Sequence, residues 1–258
     1  MVEGKIFGVV ALKGGVGKTT VCANLGTALA IEFDKKVLII DANFSTPHLG
    51  LHVGIVNPEH SLHKIIEDEY SVFEGIYEHA LGFHIIPGML APEGLDYNKL
   101  KEKIEPLKEY YDYILVDSSP SLNQEMAATM SASDEVLVVS SPDYPTLSST
   151  LHAIKIAKEQ GTDIRGIILN KVRKKRFELN PKDISEASDV KVLASIPDEI
   201  KVQAALAKMI PIVSFSPTNE VSHIYKKLAA DLIGEKYRRS LFGRKKKKKV
   251  KEEKDEKE

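Results

Sequence analysis

Apolar residues along this chain gather into short, β-branched runs: 5-KIFGVVAL-12, 36-KVLIIDA-42, 83-FHIIPG-88, 113-YILVDSS-119, 135-EVLVVSSP-142, 164-IRGIILNKV-172 and 190-VKVLASIP-197. Most lack polar alternation, as strands buried on both faces do. Between them, 17-GKTTVCANLGTALAIEF-33, 97-YNKLKEKIEPLKEYYD-112 and 146-TLSSTLHAIKIAKEQG-161 carry apolar residues at helical spacing, and Gly161 makes a stop for the last. Strand followed by helix, repeated, predicts one doubly wound α/β domain in three layers, its sheet mostly parallel and its ligands at the carboxyl ends of the strands. No internal repeat and no linker precedes about residue 236, so the expected organisation is a domain over 1–235 and a tail over 236–258.

Composition narrows the class. With 43% hydrophobic and 28% charged residues over 258 positions, the balance is that of a soluble globular protein. The longest apolar runs fall far short of the ~18 residues of a membrane span, and no cleavable signal precedes the first strand, so the expectation is cytoplasmic. The single cysteine, Cys22, lies in phase with Leu25, Leu29 and Phe33 and reads as a small core residue.

Charge is unevenly placed. Residues 236–258 hold 12 Lys/Arg against 5 Asp/Glu, a tail of +7 on a body of −8. An acidic body disfavours a surface that binds nucleic acid throughout, whereas 245-KKKKKVKEEKDEKE-258 reads as a disordered, surface-seeking segment.

The chemistry begins at 12-LKGGVGKTT-20, between the first strand and the first helix. It has the G-K-[ST] ending of a phosphate-binding loop, but Leu12 stands where the first glycine belongs and a second lysine, Lys13, follows. Gly14, Gly15 and Gly17 let the backbone curl, so that N–H groups from Gly14 through Val16 and Gly17 to Thr20, with the helix N-terminus, can hold α- and β-phosphates. Lys18 would reach the β/γ-phosphates and the Thr19 hydroxyl would coordinate Mg²⁺. Asp41 and Asp117 each end an apolar strand and would emerge beside this loop, where carboxylates orient the metal and its waters.

Together, 13-KGGVGKTT-20, 22-CANLGTALA-30, 37-VLIIDAN-43, 112-DYILVDS-118 with the Ser119-Pro120-Ser121 that follows it, and 166-GIILNKV-172 resemble the MinD/ParA family of deviant Walker-A ATPases, over roughly residues 4–235. The resemblance implies a homodimer formed on ATP binding, in which Lys13 is the signature lysine reaching the partner's ATP phosphates. It implies further that Asn170 reads adenine, with Pro197 and Asp198 of 196-IPDE-199 as second base contacts. The segment 43-NFSTPHLG-50 and the segment from Asp117 to Gln124 stand where the family has its switch loops. Where the family has D-x-D, this chain has Asp41-Ala42-Asn43, so the implied water-activating carboxylate is an amide that holds a water but lacks basicity. Slow hydrolysis awaiting an activating protein is one expectation, and a scaffold with negligible turnover is another.

One cysteine excludes the family's cluster-binding relatives, and the lone Tyr237 excludes tyrosine autokinases ending in a tyrosine cluster. A MinD-like positioning switch, a ParA-like partition ATPase and a regulator of flagellar placement remain. Tyr237, Leu241 and Phe242 among Arg238, Arg239, Arg244 and Lys245–Lys249 resemble the membrane-targeting tip of MinD, each cation contributing about 1 kcal/mol near an anionic surface. DNA is the weaker alternative, supported by a second basic cluster, 171-KVRKKR-176.

Overall fold

The apolar runs form the expected strands: β1 (Lys5–Val10), β2 (Val37–Ala42), β4 (His84–Ile86), β5 (Tyr113–Ser118), β6 (Glu135–Ser140), β7 (Asp163–Val172) and β8 (Val192–Pro197), joined by a two-residue β3 (Tyr77–Glu78). The computed structural model describes residues 3–90 and 94–239. The sheet order is β3-β4-β2-β5-β1-β6-β7-β8, with every described pairing parallel except β3 on β4. Central strands are buried on both faces, and alternate residues feed opposite layers. Val37 and Ile39 of β2 join one core and Leu38 and Ile40 the other.

One layer holds α1 (Lys18–Phe33), α2 (Leu49–His52), α8 (Ile200–Leu206), α9 (Ile212–Phe215) and α10 (Glu220–Ile233), around Phe7, Val9, Leu115, Leu137 and Ile168. The other holds α3 (Leu62–Ile66), α4 (Lys99–Ile104), α5 (Gln124–Ser131), α6 (Tyr144–Glu159) and α7 (Pro181–Ser188). This is the three-layer α/β/α arrangement that the alternation of elements predicts. α1 is covered by α10 as well as the sheet, so most of it is buried, Cys22 included. It lies so close to β2 that a Cβ on Gly26 would come within 2.6 Å of Ile39 Cγ2.

Two expectations need correction. The segment 97–112 is not one helix: α4 stops at Ile104 and residues 105–109 tighten into a 3₁₀ turn. Pro106 has no N–H to return to Glu102, so the α-ladder ends there. The strand expected over 83–88 is reduced to His84–Ile86: before it, Phe83 O is taken by His79 N in the turn from β3, and after it Pro87 has no N–H and its carbonyl accepts from Leu62 N. Gly161 does follow the end of α6, with φ of 72° in the left-handed region where glycine is favoured.

Candidate functional site

β1 lies between β5 and β6 at the centre of the sheet, and the loop leaving its carboxyl end turns at Gly17, φ 96°, into α1. The end of β7 ties this loop down from the side. Asn170 Nδ2 donates to Val16 O at 2.8 Å, and Lys171, itself left-handed at φ 58°, lays Nζ on Gly15 O at 2.6 Å. Above the loop opens a cavity of about 460 Å³, a volume suited to a nucleotide-sized ligand. Gly14, Gly15, Gly17, Lys18, Thr19 and Thr20 form its floor; Asn170, Lys171, Pro197 and Asp198, with Val202 and Leu206 of α8, form one wall. Asn43, Thr46, His48, His52 and Pro120 form the opposite wall. Val16 is buried behind the loop.

Under the floor lie the two aspartates, brought side by side because Asp41 and Asp117 are register partners on β2 and β5. Asp117 accepts from Thr19 Oγ1 at 2.6 Å through Oδ2, while its buried Oδ1 has no hydrogen-bond partner among the described residues. Burial pushes Asp117 up to about 6, against the opposing pull of Lys18 and the Thr19 hydrogen bond. Asp41 is pushed up to about 8, by burial first and by the charge of Asp117 second, although Leu49 N and Asn43 N donate to it at 2.9 and 3.2 Å. Lys18 is itself lowered by burial, with Asp117 resisting. Two adjacent carboxylates that burial, and for Asp41 the charge of Asp117, hold toward the proton are a site lacking positive charge. The orphaned Asp117 oxygen beside the Thr19 hydroxyl fits Mg²⁺, with Thr19 and Asp117 as the groups that would hold it or its waters. Asp41 fits less directly, since both its oxygens already accept from backbone N–H groups.

Several other candidates are engaged elsewhere. Lys13 does not line the cavity; its Nζ lies on Thr146 Oγ1 at 2.7 Å and Asp143 Oδ1 at 3.3 Å. Asp143 caps α6, and although burial raises it, hydrogen bonds from Ser141, Thr146 and Lys13 hold it at about 2. Asn43 turns back on its own loop, Nδ2 donating to Thr46 O at 2.6 Å and Oδ1 accepting from Thr46 N at 3.3 Å. Asp198 is paired with Arg173 at 2.8 Å.

Of the two basic clusters, only 171–176 lies wholly within the described residues. Lys171 and Arg173 stand at the carboxyl end, by the cavity. The chain after α10 leaves at the amino end, where Lys35, just before β2, pairs with Glu235 at 2.8 Å. Tyr237 is half-buried there, its hydroxyl 2.5 Å from His223 Nδ1. Leu241, Phe242, Arg244 and the Lys245–Lys249 run lie outside the described residues.

Sequence reasoning missed His48 and His52 on the cavity wall, for which no spacing gave a signal; His52 Nε2 lies 3.4 Å from Thr20 Oγ1. It missed also the contact between Ser45 and Glu125, which joins the loop after β2 to the first turn of α5.

Comparison with known proteins agrees with this geometry. A family model described as AAA domain matches residues 4–165. An uncharacterized ATP-binding protein of Methanocaldococcus jannaschii is 31% identical over 232 residues, covering 89% of this chain and 88% of its own. The cell division ATPase MinD of Pyrococcus furiosus superposes with a TM-score of 0.85 at 30% identity, covering 90% of this chain and 99% of that one. The septum site-determining protein MinD of Pyrococcus horikoshii, complexed with Mg-ADP, gives 0.84 at 31%, covering 88% and 95%.

Proposed function

The chain belongs to the MinD/ParA family of P-loop ATPases, and from that membership we propose that it is an ATP-driven switch that dimerises on nucleotide and positions other cellular components. The observation that carries this reading is the division of labour between its two lysines. Lys18 is buried in the cavity floor, where a desolvated cation suits a polyphosphate, and Lys13 stands outside the cavity on α6, 44% exposed along its side chain. A cation held outside its own cavity, on Thr146 and Asp143, is placed to exchange those partners for a second molecule's phosphates. Two polyphosphates facing across a two-fold axis need such a charge, which makes association depend on the bound ligand.

Nucleotide binding rests on the loop backbone, Lys18 and Thr19, with the base against Asn170 and Pro197. Thr19 and Asp117 would hold Mg²⁺, which would supply neutralising charge to the phosphates. Hydrolysis is slow, because Asn43 offers an amide where a basic group would polarise water and that amide is already spent on Thr46. For the surface on which the switch acts, the sequence of the tail, with Leu241 and Phe242 among arginines and lysines, favours an anionic membrane. A DNA-bound partition role would draw on Lys171 and Arg173 beside the cavity, where both are engaged by Gly15 and Asp198.

The test compares two alanine variants. Lys13→Ala should keep ATP affinity within about threefold while abolishing the ATP-dependent dimer in light scattering, and Lys18→Ala should lose affinity by about 10²-fold or more, as loss of a charge-assisted phosphate contact does. Equal loss of ATP binding in both variants would overturn the assignment of Lys13 to a second molecule.

A further inference from the structure

Glu125 is 3% exposed, yet among the described residues it pairs with no Lys, Arg or His. What it accepts instead comes from one residue of the segment 43–50: the Ser45 hydroxyl donates to Oε1 and the Ser45 N–H to Oε2 at 3.3 Å. Burying a carboxylate is costly unless its partners are well placed. A side chain that stabilised α5 alone would not need such burial, because an acid in the first turn of a helix is already favoured in solvent.

The positions of the two partners give the pair its significance. Ser45 sits between Asn43 and Thr46, which line the cavity and are closed on each other by the Asn43 amide. Glu125 stands in the first turn of α5, two residues after the cap Asn123. Asn123 Oδ1 accepts from Ser119 Oγ at 2.8 Å and Met126 N at 3.0 Å, fixing the loop that runs from Asp117 through Pro120 on the cavity wall. One carboxylate is therefore bonded to the Asn43 loop and carried on the helix that caps the Asp117 loop.

We infer that Glu125 is a positioning residue: clasped to Ser45, it couples the Asn43 loop to the Asp117 loop, so that both register the terminal phosphate together and the attacking water is set only when both are in place. This rests on the ATPase reading above. Glu125 lies outside the cavity lining, so its loss should spare nucleotide affinity and lower turnover. Misplacing a reacting group by about 1 Å costs up to about 10²-fold in rate.

The full chain would be tested as Glu125→Gln, which keeps shape and one acceptor, and as Ser45→Ala. Each should reduce kcat about 10- to 100-fold with KM and ATPγS affinity within about twofold, and the double variant should be no slower than either single one. Amide hydrogen exchange over 43–50 gives an arm that needs no turnover: in the nucleotide-free chain it should quicken about tenfold or more in Glu125→Gln, with exchange over 117–124 following it. Unchanged exchange in both segments, additive losses of kcat, or parallel falls in affinity and turnover would overturn the clasp. A wild-type chain without ATPase activity but with the expected exchange would defeat the ATPase reading and leave the coupling of the loops standing.

Discussion

Gly17 is where backbone geometry and the candidate site constrain each other most tightly, and replacing it with alanine exposes both constraints. Its φ of 96° lies in the region that L side chains avoid, and a Cβ there would sit 2.3 Å from Asn170 Nδ2. Asn170 cannot swing aside freely, because that nitrogen is the one donated to Val16 O at 2.8 Å and the residue is 7% exposed. Two costs combine in Gly17→Ala. The backbone term is about 1–2 kcal/mol, and breaking a buried hydrogen bond so that both groups lose their partner adds about 1–3 kcal/mol. Gly15→Ala carries the first cost alone, since φ is 76° but nothing lies within 4 Å of its Cβ position. Urea unfolding of the nucleotide-free variants separates the two: with m of about 2–3 kcal/mol/M, Gly17→Ala should reach its midpoint about 0.3–1.5 M below Gly15→Ala. Nucleotide affinity should fall further in the Gly17 variant, because the displaced amide is part of the cavity wall. Coincident midpoints for the two variants would refute the claim that Asn170 is wedged against the loop.

Two further expectations follow from the aspartates and from Asn43. An acid whose pKa is higher in the folded chain holds more protons there than in the unfolded one, so stability falls as pH rises. With Asp41 raised to about 8 and Asp117 to about 6, each by burial first, the window runs from the unfolded value of roughly 4 up to about 8. Urea midpoints of the nucleotide-free protein should decline across it, less steeply in Asp117→Asn; parallel slopes would be evidence against the pair. Asn43→Asp should release that side chain from Thr46 O, because a carboxylate cannot donate to a carbonyl. It should raise ATP turnover about tenfold or more at unchanged affinity by adding basicity next to the nucleophile, an idea undone by equal rates in a single-turnover assay.

What could be read in the sequence and what could not differ in how far apart along the chain the decisive residues stand. The strands of the sheet were legible because a strand buried on both faces advertises itself in five or six consecutive residues, and 37-VLIIDA-42 is such a run. β3 was not, since two residues, Tyr77 and Glu78, are too few to show a period, and four-residue helices such as α2 and α9 fail for the same reason. Pro106 was in plain view, but the helical spacing of 97–112 continues across it and masks the break. At the site the same rule holds. The phosphate loop is contiguous, and Asp41 and Asp117 each follow a recognisable strand, so their meeting could be deduced from topology. Lys13 and Asp143 are 130 residues apart, and Ser45 and Glu125 are 80 apart. No local pattern links either pair. Glu125 in particular reads as one more acid in a helix's first turn, where the helix dipole favours an acid in any case; only its burial, which the packing of α5 against the Asn43 loop creates, distinguishes a buried link between loops from an ordinary exposed charge.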